Sequence, residues 1–178
     1  MVHVESAITI GSLMWLFLAA FMIHDLEEII FVESWWKKHG ARIKGIAPGW
    51  AGGLVNGMAG VKSSQFAAAV LTEFVVFVPV TYLAVERQSF VLFVGANALM
   101  LFHVLTHVGQ SLFARSLTPG VVTSVLILLP YGIYLFYRLI EDEILTLREI
   151  LTYAPAGLFV IPLVLIGHKI GKLVIKEE

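Results

Sequence analysis

The sequence predicts an all-α membrane protein: a bundle of about five transmembrane helices, N-terminus outside and C-terminus cytoplasmic. Three observations carry this. Of the 178 residues, 58% are apolar. The mean hydropathy is +0.88. Only 14% are charged, against about a quarter in a soluble domain. Residues 1–178 read as a single transmembrane domain, with no room for a separate soluble one.

A helix needs about 20 mostly apolar residues to cross the hydrocarbon core. Its backbone must satisfy its own hydrogen bonds there. Five segments qualify: 8–31, 66–85, 90–113, 121–140 and 153–174. Pro79, Pro130 and Pro162 fall inside spans, where kinks are tolerated. The first segment reads as a retained span. A secretory signal has a basic leading region, whereas here Glu5 precedes the apolar run and no Lys or Arg does.

The loops set the orientation. With five spans, Lys37, Lys38, Arg42, Lys44, Lys62, Arg115, Lys169, Lys172 and Lys176 share one side. Arg87, Arg138 and Arg148 share the other. The positive-inside rule assigns the first group to the cytoplasm. The first cytoplasmic loop, 32–65, opens with Trp35 and Trp36 beside Lys37 and Lys38, an interfacial anchor. Its uncharged stretch 45–61 carries Gly49, Gly53 and Gly57. That spacing suits either a helix packed closely into the bundle or a helix on its surface. The outer segment 138–152 is acidic and reads as solvated or interfacial.

The chain contains no cysteine, which excludes disulfides, thiolate zinc sites and iron–sulfur clusters. A net charge of −1 gives no footing for nucleic acid.

Three spans carry residues that lipid penalises. The first ends in His24-Asp25-Leu26-Glu27-Glu28, the second holds Glu73, and the third holds Asn97, His103 and His107. A charge at a span centre costs about 2.5–3.5 kcal/mol on insertion scales, so such residues face a bundle interior and mark function. Measured along their helices, His24, Glu73, His103 and His107 all fall ~10–15 Å inside the cytoplasmic boundary, at 1.5 Å per residue. Unrelated polar residues would scatter in depth. His103 and His107 are i and i+4, on one face, and Gln110 extends it. Glu27 and Glu28 flank the face of His24.

Three imidazoles and three carboxylates supply N and O donors that suit zinc or iron, and manganese less closely. Bundles build one- and two-ion sites from inward-facing Glu and His. The metal ligands read from the sequence are His24, Glu28, Glu73, His103 and His107, with Glu27 and Glu28 as the candidates for acid–base work. The same groups also compose a proton relay or a structural hydrogen-bond network. Asp25 is placed to orient an imidazole, and Asn97 is a neighbour. His168 reads as interfacial. His3, His39 and Glu5 read as solvated.

The His24-to-Glu28 pentapeptide resembles the signature of the HXXEE-domain family of small, mainly prokaryotic membrane proteins. That family also has a further histidine, here His103 or His107, and a YxPG motif. Leu117-Thr118-Pro119-Gly120 is similar to the latter, with leucine in place of tyrosine. The resemblance covers about the first 140 residues and implies a prokaryotic plasma-membrane protein. It implies no activity.

The site's depth and chemistry lead to the expectation of a metal-dependent membrane enzyme acting on a lipid-like or other hydrophobic small molecule. Membrane lipids and a second copy of the chain are the expected partners. The alternatives are a metal-ion or proton transporter using the same cluster, and a non-catalytic subunit with a structural polar network. The absence of an internal repeat counts against transport.

Overall fold

A computed structural model describes residues 8–175. His3, Glu5 and Lys176 lie outside the described residues. All regular structure among the described residues is helical. Six helices organise it: α1 (Ile10–Ile46), α2 (Gly52–Ala59), α3 (Ser63–Arg87), α4 (Val91–Ala114), α5 (Val121–Glu141) and α6 (Leu147–Val174). The last four are long and apolar enough to cross a membrane.

α1 begins where Thr9 caps it, its hydroxyl accepting from the Ser12 N–H at 3.2 Å. It then runs 37 residues without a break, about 55 Å. That exceeds the ~30 Å hydrocarbon core. The helix therefore continues where the sequence reading begins its loop at residue 32. Its later half receives α3: the Ser63 hydroxyl donates to the Ile29 carbonyl at 2.6 Å, and Glu33 accepts the Ser63 N–H at 2.9 Å.

Helix directions alternate. The start of α1 lies beside the end of α3 and the start of α4. Arg138, near the end of α5, donates to the Ile8 carbonyl just before α1. At the opposite end, Gln65 near the start of α3 donates to the Ile175 carbonyl after α6. Arg138 departs from its reading as an outer-loop charge. It is buried in the last turns of α5, where Asp142 takes its guanidinium at 2.7 Å and the Tyr134 hydroxyl accepts at 3.1 Å.

The core is aromatic. Phe17 and Phe21 of α1, Phe77 of α3 and Phe93 of α4 are fully enclosed. Phe21 meets Phe77 edge-on at 4.9 Å, and Phe17 meets Phe93 edge-on at 5.7 Å. α6 approaches its neighbours through small residues. Gly157 lies against Gly95 of α4, backbone to backbone, and Gly167 and Gly171 lie against Ala69 and Gln65 of α3. Close backbone approach of this kind is how helices associate in lipid. Gly49, Gly53 and Gly57 do not serve that purpose: a methyl group on any of them would meet nothing within 4 Å. Gly53 and Gly57 lie in α2 and Gly49 in the turn before it, and all three are exposed.

α5 does not begin level with the end of α4. Residues 115–120 fold back along α4: Thr118 donates its N–H to Ser111 Oγ at 3.1 Å, and the two hydroxyls meet at 2.6 Å. Gly120 then reaches the level of His107. This return starts α5 about 10 Å, seven residues, inside the end of α4.

Candidate metal centre

Two helices and the return converge on one point. His24 and Glu28 come from α1, and His103 and His107 from α4. One donor atom from each lies within 4.8 Å of all the others. His107 Nε2 is 2.8 Å from His103 Nε2 and 3.4 Å from Glu28 Oε1. The His24 ring meets those of His103 and His107 edge-on, at 5.4 and 4.9 Å between centroids. Donors sharing one ion at about 2.0–2.2 Å stand at most ~4.4 Å apart. The tetrad is nearly closed to that geometry.

Two of the three imidazoles, His24 and His103, have a hydroxyl on Nδ1 that orients the ring and turns Nε2 toward the cluster. The Thr123 hydroxyl gives its proton to Glu27 Oε2 at 2.6 Å. Facing His24 Nδ1 at 3.1 Å, the same oxygen can only accept. This favours the ring proton on His24 Nδ1 and the lone pair on Nε2, with Ser124 Oγ a more distant neighbour of Nδ1 at 3.5 Å. Nε2 is buried with no hydrogen-bond partner. His103 repeats the arrangement: Thr106 donates to the His103 carbonyl at 2.7 Å and accepts from His103 Nδ1 at 3.2 Å. Nε2 of His103 is left free to face His107. Such outer partners orient the ligands of metal sites.

Glu27 stands outside the tetrad. Its Oε2 accepts both the backbone N–H of Thr123, at 2.7 Å, and the Thr123 hydroxyl. A carboxylate at a helix start satisfies an otherwise unpaired N–H and complements the helix dipole. Glu27 therefore fastens α5 to α1, and Thr123 passes that fastening to His24.

Gly120 roofs the tetrad. A methyl group there would lie 2.6 Å from His107 Cε1, 2.9 Å from His24 Cε1 and 2.9 Å from Glu28 Cγ. Its φ of +83° is one that glycine adopts without strain.

Two openings reach the site. A cavity of about 320 Å³ is bounded by His24, Asp25, Glu73 and His103 on one wall and by Phe102, Ile161 and Leu165 at its mouth. Those three apolar residues are about half exposed or more. A second cavity, about 210 Å³, is lined by Glu28, Gln110 and Pro119. Glu73 thus lies on a cavity wall beside the tetrad and not within it.

Other sequence candidates fall elsewhere. Asn97 is buried and donates to the Phe93 carbonyl of its own helix at 2.9 Å. His168 stacks on Phe66 at 5.4 Å. His39 is half-buried, its ring 5.1 Å from that of Trp35 and its Nδ1 3.4 Å from Arg42. Thr123, Ser124 and Thr106 are site residues that the sequence reading missed. A lone threonine or serine in an apolar run carries no signal of its own. Gly120 did carry one, through the motif it ends.

The model of a family described as proteins of unknown function with an HXXEE motif matches residues 15–135. That stretch includes all four tetrad residues, Glu27, Glu73 and Gly120. No curated protein and no solved structure matches the chain.

Proposed function

The chain belongs to the HXXEE-motif family, and on that premise we propose that it is a metal-dependent membrane enzyme for a hydrophobic substrate. The observation that carries the reading is the juxtaposition of a tetrad of three histidines and one glutamate, buried or half-buried, with a cavity whose mouth is apolar and exposed. His24, His103, His107 and Glu28 would hold a zinc or iron ion. Zinc would polarise a substrate oxygen and activate water, whereas iron would support oxidation. Glu27 acts through Thr123 as a positioning residue for His24. Glu73 faces the substrate space.

In this reading α1 is a fifth crossing, with the N-terminus outside and the tetrad in the cytoplasmic half of a prokaryotic plasma membrane. The enclosed Phe17, Phe21, Phe77 and Phe93 fill the bundle beyond the tetrad. That supports an enzyme over a channel within one chain.

The test is chemical. Reconstituted protein is loaded with zinc or with iron and incubated with a prokaryotic membrane lipid extract, and the lipids are followed by mass spectrometry. The expected result is metal-dependent conversion of one lipid class, lost in His103→Ala. An extract unchanged with either metal contradicts the proposal.

A further inference from the structure

The cavity beside the tetrad has a polar wall with no partner of its own. Asp25 and Glu73 are 7% and 8% exposed, on α1 and α3, and both line it. Asp25 Oδ2 is buried without a hydrogen-bond partner. Among the described residues, neither carboxyl group has a cationic side chain within ion-pair distance. A bound cation would give both carboxyl groups the partner that the protein does not supply, in a place where an unpaired charge is expensive.

The rest of the cavity says what kind. Asp25 and Glu73 gather no third His or carboxylate into a metal-binding group among the described residues. His24 and His103, which belong to the tetrad, are the histidines that line the cavity. Its volume of about 320 Å³ falls in the small-molecule range of roughly 300–1,000 Å³. The remaining walls and mouth include Phe21, Leu99, Phe102, Val164 and Leu165. The space is thus polar where Asp25, Glu73, His24, His103 and Thr106 line it and apolar elsewhere.

We propose that this cavity binds the head of an ammonium-bearing amphiphile, with Asp25 and Glu73 as its counter-ions and its hydrocarbon chain leaving past Phe102 and Leu165. As a binding site it stands without the metal. As a substrate site it rests on the enzyme reading above, whose reacting group would then lie within reach of His24 and His103.

The test uses the full chain in detergent, stripped of metal by chelator, and native mass spectrometry with dodecylammonium and dodecanol as probes. The expected result is one dodecylammonium per chain, preferred at least about tenfold over dodecanol, a difference of ~1.4 kcal/mol. Glu73→Gln and Asp25→Asn should each remove most of that preference, and Glu73→Asp should keep it. Equal retention of the two probes by wild type, or a preference unchanged in both amide variants, overturns the proposal. So does a second divalent ion per chain, found in metal-loaded protein and lost in Glu73→Gln, which would make the wall a metal site. Metal binding by the tetrad is read separately, so failure here leaves the enzyme reading standing.

Discussion

Thr123 grips Glu27 twice, through its backbone N–H at 2.7 Å and its hydroxyl at 2.6 Å, and the same hydroxyl faces His24 Nδ1. One residue of α5 thereby ties a helix-capping carboxylate to the tautomer of a candidate ligand. Removing the hydroxyl while keeping the shape isolates that link. Thr123→Val should weaken zinc binding about 10–100-fold, the usual cost of losing an outer-shell partner. Thr123→Ser should restore most of it. Competition with a calibrated chelator reads the difference, and equal affinities in wild type and Thr123→Val would refute the relay.

Gly120→Ala tests the roof. An alanine at a φ of +83° carries about 1–2 kcal/mol of backbone strain. Its methyl would also press on His107, His24 and Glu28. The expected outcome is a folded protein with disturbed metal binding: lower affinity by chelator competition, at a helical circular dichroism close to wild type. Unaltered affinity would place the return farther from the tetrad.

Gly95→Ala tests the packing of α6 on α4. Its methyl would strike the Gly157 backbone, and overpacking costs about 1–3 kcal/mol. A clear fall in Tm in detergent is expected. Gly109→Ala, whose methyl meets nothing within 4 Å, should leave Tm unchanged. Equal behaviour of the two variants would contradict the close approach.

Orientation is read by cysteine labelling in a chain with no native cysteine. A cysteine at Lys38 should be shielded from impermeant reagents in intact cells, and one at Asp142 should react. The reverse pattern would place the tetrad in the outer half of the bilayer.

Much of this arrangement was legible beforehand because lipid makes polar residues conspicuous. His24, His103 and His107 stood out as costs within apolar spans, and their shared depth and i, i+4 spacing pointed to one cluster. Glu28 fell on the same face. Glu73 sat at the right depth, but depth leaves open which neighbour a side chain meets, and Glu73 faces the cavity. The fold-back of 115–120 was not legible. Its basis is the Ser111–Thr118 pairing, which no periodicity reports. Without it, Thr123 could not be placed beside His24. The continuation of α1 to Ile46 was equally hidden, because charged residues that end a span do not end a helix.

Metal content tests the central claim most directly. Wild-type chain and His24→Ala, purified in parallel in detergent without chelator, are compared by elemental mass spectrometry. About one equivalent of zinc or iron in the wild type, lost in the variant with folding intact, is the result expected from four donors within 4.8 Å. No metal in the wild type, before or after reconstitution with either ion, would contradict the account and leave the tetrad as a proton-sharing or structural network.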